Sequence, residues 1–377
     1  MKKKILVNAY FAMNFGDDLF LKILFDRYPN VEWHLLTTSE NMRKTFKDYK
    51  NVKILKSLNV NLGIRKVNVF YKMNEILFNY KKYDAFVYIG GSIFMELPYW
   101  RESLNIRGYI PKKFKMLNKR TFIIGANFGP FKDESYIETH REFFANFDDI
   151  CFRDSYSYNL FRDLDNIRVA PDVVFNLKID KTKNIANDKS VGFSLIDLEN
   201  RKGLKNYSTI YKEKIIKIIE KYIEDGYTIK LFSFCEQEGD LRIINDIYEE
   251  IRASKRKYIK IITYRFDIEG FLNEFKSCEV IIGIRFHSII LALLFNQKFL
   301  PIIYSEKTLN VLRDLNMGDI YCYISDIHHL DVDNLVINNK TLKKKVSLEA
   351  EKQFHKLDFY LNNDKGNNSH ELVSEGV

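Results

Sequence analysis

Short apolar runs alternate with longer amphipathic stretches along most of this chain, and that alternation predicts its elements. Strands are predicted at Lys4–Tyr10, Val31–Thr37, Val52–Leu55, Ala85–Ile89, Thr121–Gly125, Ile150–Arg153 and Ile167–Val169, with helices at Asp18–Tyr28, Val67–Asn79 and Ser155–Leu164. A polar stretch, "KIDKTKNIANDK" from Lys178 to Lys189, breaks the pattern, which then restarts. The second run predicts strands at Val191–Leu195, Thr228–Ser233, Ile259–Ile262, Val280–Ile284 and Phe299–Ile303. Its helices are Tyr211–Asp225, Asp240–Ala253, Ile268–Lys276, Ser288–Asn296 and Thr308–Leu315. Thr341–Leu361 reads as a long amphipathic helix, and the residues after it as a disordered tail. Strands alternating with helices argue for parallel sheets covered on both faces. The predicted class is therefore α/β, with two doubly wound Rossmann-like domains joined by a linker, the glycosyltransferase-B-like plan. The domains are 1–180 and 185–340, followed by a C-terminal helix at 341–361 and a tail at 362–377.

Composition narrows this picture. The chain has 377 residues, 46% hydrophobic and 29% charged, within the range of globular proteins. Lysine and arginine number 59 against 50 acidic residues, an excess of +9 that favours anionic partners. The basic residues form no stripe with interleaved exposed aromatics, which argues against nucleic acid. The four cysteines, Cys151, Cys235, Cys278 and Cys322, lie far apart without a C-x-x-C, so they read as buried thiols of a reducing compartment. In the opening "MKKKILVNAYFAMNFGDD", Asn8 breaks the apolar run and aspartates stand where a cleavage site belongs, so a first strand is expected rather than a leader. No run approaches the roughly 18 apolar residues of a membrane span. The expectation is a cytoplasmic protein that at most touches the inner face of a membrane. "IPKKFKMLNKR", Ile110–Arg120, mixes basic and apolar side chains and is either a membrane-facing patch or an amphipathic helix with solvated lysines.

In doubly wound sheets ligands bind beyond the carboxyl ends of the strands, so residues just after each strand carry the candidate chemistry. "NFGDD", Asn14–Asp18, offers Gly16 for a tight turn and a helix start suited to an anion, with Asp17 or Asp18 as a plain N-cap instead. Gly90-Gly91-Ser92 is either a phosphate cradle or a turn. "GANFGPF" points the Asn127 amide into a cleft or is a turn around Gly129-Pro130. Arg153 pairs with Asp154 or meets a ligand, and Asp172 follows another strand behind Pro171. The densest stretch is "GIRFHSIILALLF", Gly283–Phe295. Arg285 holds carboxylates or phosphates bidentately, His287 titrates near neutral pH, and Ser288 opens a helix. Such a pair faces either an anionic ligand in a cleft or a carboxylate in the core. His328-His329 lacks a third spaced ligand and reads as an exposed loop, and no metal is expected.

This set of motifs resembles the polysaccharide pyruvyl transferase family. The matching pieces are N-x-G-D at Asn14–Asp17, GGS at Gly90–Ser92, G-x-N-x-G-P at Gly125–Pro130 and R-D-x-x-S at Arg153–Ser157. P-D-x-x-F at Pro171–Phe175, R-x-H-S at Arg285–Ser288 and Y-x-x-K at Tyr304–Lys307 complete it. The resemblance implies transfer of an enolpyruvyl group from phosphoenolpyruvate to a sugar of a cell-surface polysaccharide precursor, forming a pyruvate ketal without a cofactor. It assigns the acceptor to the first domain and phosphoenolpyruvate to the second. The acceptor is a saccharide, free or lipid-diphosphate-linked. Arg285, His287 and Asp17 take the catalytic roles. Asn14, Gly16, Gly90, Gly91, Ser92, Asn127, Arg153, Asp172, Ser288, Tyr304 and Lys307 take binding roles. One departure stands out: many members carry a basic residue just after the first strand of the second domain, where this chain has Leu195-Ile196-Asp197, with Arg201 the nearest candidate. Two other readings stay open, a nucleotide-sugar-dependent glycosyltransferase of the same plan and a catalytically inactive glycan-binding relative.

Overall fold

The two predicted runs of strands build two separate parallel sheets. The computed structural model describes residues 2–37, 39–55, 59–62, 65–68, 80–179 and 188–363, with 59–62, 65–68 and 188 described by backbone alone. The first sheet uses β1 (Lys4–Asn8), β2 (Glu32–Leu35), β3 (Val52–Ile54), β6 (Ala85–Ile89), β7 (Arg120–Ala126), β8 (Asp149–Phe152) and β9 (Ile167–Val169), while β4 (Asn59–Leu62) and β5 (Arg65–Asn68) form a small antiparallel pair. The second sheet uses β10 (Asp188–Ser194), β11 (Thr228–Ser233), β12 (Ile259–Thr263), β13 (Cys278–Gly283), β14 (Lys298–Ile303) and β15 (Cys322–Tyr323). The orders are β3-β2-β1-β6-β7-β8-β9 and β12-β11-β10-β13-β14-β15. Each order reverses once, between β1 and β6 and between β10 and β13, and the crevice above such a reversal is where doubly wound sheets take ligands.

The strands form where apolar residues run on without alternating, because both faces are covered. β6, "AFVYI", is buried at every position. The two cores differ in kind. The first is aromatic, with Phe86, Tyr88, Phe94, Phe114, Phe128, Phe143, Phe144, Phe152 and Phe161. His140 sits inside it, and burial pushes its imidazole down to about 4, so it is a packing residue. The second core is built mostly from isoleucine, including Ile215, Ile218, Ile229, Ile244, Ile282 and Ile302.

The chain forms two units, and their boundary departs from the linear one. The first comprises Met1–Tyr10, Leu21–Asn176 and Ser347–Val377, and the second Phe11–Phe20 and Leu177–Val346. Phe11–Phe20, placed by sequence in the first domain, belongs to the second because Phe15 is caged there. Its ring lies 4.4 Å from Phe271, 5.1 Å from Tyr264 and 5.5 Å from Phe234. Its N–H donates to the Phe234 carbonyl at 3.0 Å.

Other elements differ from expectation. Helices Glu40–Thr45 and Ser135–Phe144 have no counterpart among the expected elements, and Trp100–Met116 has one only in the amphipathic-helix alternative for Ile110–Arg120. Of the expected helix Val67–Asn79, Val67 and Asn68 lie in β5 and the rest lies outside the described residues. Within the linker, 180–187 also lie outside them. The long C-terminal helix is in fact Lys344–Ala350, a 3-10 turn Glu351–Phe354 and His355–Asn363. Asn362 and Asn363 end that last helix, while 364–377 lie outside the described residues.

The break has a physical reason: the 3-10 turn drives Gln353 into the first unit. β7 and β8 lose register between Ile124 and Ala126, which leaves the Gly125 N–H without a ladder partner. That N–H donates to Gln353 Oε1 at 3.0 Å. Gln353 Nε2 faces the carbonyls of Ala170 (2.7 Å), Pro171 (3.1 Å) and Phe152 (3.2 Å). Gln353→Ala is expected to cost about 2–3 kcal/mol, since unsatisfied buried groups cost about 1–3 kcal/mol and a cavity adds to that. Thermal melts check it, and a midpoint within a degree of wild type would mean that water or a neighbour replaces the amide.

Candidate functional site

Of the two partners expected for Arg285, a ligand in a cleft or a carboxylate in the core, the second unit supplies the carboxylate. Helix Phe286–Leu294 starts right after β13, and Arg285 occupies its N-cap position. The guanidinium is buried and locked to carboxylates. Its Nε donates to Asp240 Oδ2 at 3.0 Å, Nη2 donates to Asp240 Oδ1, and Nη1 donates to Glu238 Oε2. Asp240, fully buried, also accepts the N–H groups of Phe234 (3.0 Å) and Cys235 (2.9 Å). Glu238 Oε2 accepts from Arg201 Nη2 at 3.3 Å, and its Oε1 accepts from Asn14 Nδ2 at 3.3 Å. Burial works to raise the Glu238 carboxyl, but Arg285 outweighs it and holds the group down to about 2.

The strand-to-helix turn is pinned by two serines. Ser194 Oγ accepts from the N–H groups of Ile284 (2.9 Å) and Arg285 (3.2 Å) and lies 2.6 Å from Ser288 Oγ. Ser288 donates to the Arg285 carbonyl at 2.6 Å and is fully buried. Its hydroxyl therefore serves the main chain. His287 lies between the rings of Phe20 (5.3 Å) and Phe286 (5.1 Å) and directly over Gly16. A methyl group on Gly16 would coincide with the imidazole, so the motif glycine is required by this close approach.

The helix cap also differs from expectation. Helix Phe15–Arg27 is capped by Asn14, whose Oδ1 accepts the Gly16 N–H at 3.0 Å, and both aspartates fall in its first turn. Asp17 is buried at the rim, 8% exposed, and Asp18 is sealed in at 0%. Tyr264 Oη donates to Asp18 Oδ2 at 2.7 Å. Burial pushes the Asp18 carboxyl up to about 8, against the Tyr264 hydrogen bond and with Asp17 adding to the rise. A carboxyl held up in this way keeps its proton near neutral pH and acts there as a hydrogen-bonding group of the core. After β14, Tyr304 lies under the Arg201 guanidinium, 5.1 Å from it. Burial alone raises its phenol, yet Lys307, Arg201 and Arg285 together bring it below its ordinary value. Asn14, Gly16, Arg285, His287, Tyr304 and Lys307 are thus gathered at the carboxyl ends of the second sheet.

The remaining predicted residues form a second group in the first unit. Arg153 Nη1 donates to Asp172 Oδ2 at 2.9 Å and Nη2 to Asn127 Oδ1 at 2.6 Å. Ser92 Oγ donates to the same Asn127 oxygen at 3.1 Å. Arg153 also fills the space over Gly91, where a side chain would collide with its guanidinium. Gly90 donates its N–H to the Ile124 carbonyl at 3.3 Å. Asp154 is a helix N-cap that accepts the Ser157 N–H at 2.8 Å, so Arg153 pairs with Asp172 and not with its neighbour.

Glu238, Asp240, Ser194 and Tyr264 were missed in the sequence, and Asp18 was read only as a possible N-cap. A buried arginine demands an acid, and "EGD" after β11 was a findable signal. In Ile110–Arg120, Lys115 donates to the Ala145 carbonyl (2.7 Å), Lys119 to that of Lys81 (2.6 Å), and Arg120 pairs with Asp148 (2.6 Å). Those three cations serve the protein itself, which favours the amphipathic-helix alternative. Among the described residues no helix is long and apolar enough to cross a membrane.

Two parallel-sheet α/β domains with polar groups gathered at their strand ends define a glycosyltransferase-B-like protein. The fold matches the UDP-GlcNAc 2-epimerase of Methanocaldococcus jannaschii at a TM-score of 0.57 and 16% identity, covering 95% of this chain and 100% of that one. It matches S. aureus MnaA at 0.58 and 15%, covering 96% and 97%. The chain belongs to the polysaccharide pyruvyl transferase family, whose model matches residues 14–306. It is 24% identical over 309 residues to the amylovoran biosynthesis protein AmsJ of Erwinia amylovora, over 72% of this chain and 70% of that protein. Membership makes it a transferase of polysaccharide biosynthesis.

Proposed function

We propose that this protein moves the enolpyruvyl group of phosphoenolpyruvate onto a sugar of a polysaccharide precursor and closes a pyruvate ketal there. The observation that carries this reading is the gathering of Arg285, Arg201 and Lys307 around Tyr304, beside His287, at the switch point of the second sheet. A donor with a carboxylate and a phosphate calls for such a group of cations. His287 protonates the methylene carbon, leaving an oxocarbenium-like centre at the neighbouring carbon. One sugar hydroxyl adds there and gives up its proton to Asp17. The carbon–oxygen bond to phosphate then breaks, phosphate leaves, and a second hydroxyl closes the ketal as it loses its proton. The acceptor is a saccharide, free or lipid-diphosphate-linked.

The test is release of inorganic phosphate from phosphoenolpyruvate against a panel of free and lipid-linked oligosaccharides. Acceptor-dependent release, with a product heavier by a pyruvate ketal, is expected. Release of nucleoside diphosphate from nucleotide sugars, with phosphoenolpyruvate untouched, would replace this reading with a glycosyltransferase. Sugar binding with neither release would make the chain a glycan-binding relative.

A further inference from the structure

Arg285 has two carboxylate partners that differ in build. Asp240 is fully buried, meets two guanidinium nitrogens and is fixed by two main-chain N–H groups. This pair leaves Arg285 with a fixed counter-charge whatever Glu238 does. Glu238 takes the third nitrogen, but its side chain is 28% exposed. It sits on a single 3-10 turn, Glu236–Glu238, that ends at Gly239 with φ +88°. Its contacts with Arg201 and Asn14 are both long, at 3.3 Å. Arg201 Nε is buried and has no hydrogen-bond partner. Even with Glu238 in place, Lys307, Arg201 and Arg285 leave Tyr304 in cationic surroundings. A partly exposed carboxylate thus lies among donors that a single fixed acid already serves on one side.

We propose that Arg285 Nη1, Arg201 and Asn14 form a subsite for the carboxylate of the donor, which the Glu238 carboxylate occupies until the donor displaces it. This rests on the donor reading above and adds the residue that competes with the donor. Glu238 carries the same functional group as the donor and meets the same donors through both oxygens. When its turn moves aside, Arg285 keeps Asp240 and no buried charge is orphaned. A site held shut by its own side chain binds with an affinity reduced by the fraction of time it is open.

Calorimetric titration of wild type, Glu238→Gln and Glu238→Ala with phosphoenolpyruvate and with pyruvate tests this, after thermal melts show which variants fold. Both variants are expected to bind both anions five- to tenfold more tightly, and each anion to raise their melting midpoints more than it raises that of wild type. Glu238→Gln, close in shape, carries the test if the alanine variant fails to fold. Unchanged or weaker binding in a folded variant would overturn the proposal. Tighter pyruvate binding with no phosphoenolpyruvate binding would keep the subsite and sink the donor reading. Phosphoenolpyruvate turnover by wild type with no tightening in either variant would do the reverse.

Discussion

Arg285→Ala is expected to lose about 3–5 kcal/mol of stability, the range for removing one partner of a buried ion pair. The substitution leaves Asp240 sealed in the core beside Glu238 with no cation between them. Against a total of about 5–15 kcal/mol for a typical domain, that is a large share. Arg285→Lys keeps a charge but cannot span both Asp240 oxygens and Glu238 at once, so a smaller loss of about 2 kcal/mol is expected. Denaturant titrations read both. Removing the acid as well, in Arg285→Met with Asp240→Leu, should recover much of the loss, because an apolar pair of similar volume avoids desolvation. An alanine variant that unfolds within 1 kcal/mol of wild type would show that Arg285 is not what keeps Asp240 buried. An inactive Arg285→Ala protein therefore says nothing about donor binding until its fold has been measured.

His287→Ala should lower turnover by about a hundredfold or more, the usual range for a lost general acid, with the melting midpoint little changed. Gly16→Ala offers an independent route to the same result, since its methyl group would displace the imidazole from above the helix start. Alanine favours a helix over glycine by about 1 kcal/mol, so any loss of activity there is not explained by a weaker helix. Phosphate release under saturating phosphoenolpyruvate is the measurement for both. Wild-type turnover in His287→Ala removes it as the acid. Wild-type turnover in Gly16→Ala would mean that the ring has room to move without consequence.

The strand ends were legible because buried parallel strands are unbroken apolar runs, and the motif residues follow them directly. The second domain was read almost element by element for that reason. In the first, helix Trp100–Met116 carries Gly108 and Pro111, residue types that ordinarily weaken a helix, and both are buried within it. Gly108 lies at ordinary contact distance from the Phe143 ring, where tertiary packing outweighs propensity. The partners of Arg285 were out of reach for another reason. Asp240 lies 45 residues away along the chain, and no periodicity links the two. The same holds for Phe15, whose apolar character was plain but whose aromatic cage comes from the residues just after β11 and β12 and from the helix Ile268–Lys276. Binary pattern names what is buried; it does not say against what.

Gln353 sets an order of events during synthesis. The Pro171 carbonyl, which its amide faces, leaves the ribosome 182 residues earlier. The carboxyl edge of β7, β8 and β9 is therefore exposed to water for as long as the whole second sheet is being translated. Until residue 353 emerges, the Gly125 N–H and the Ala170 carbonyl have only solvent to bond. Domains of a nascent chain usually close in the order in which they are made. Here the unit that begins first finishes last, and a prematurely terminated product would carry a complete second sheet beside an unsealed first one.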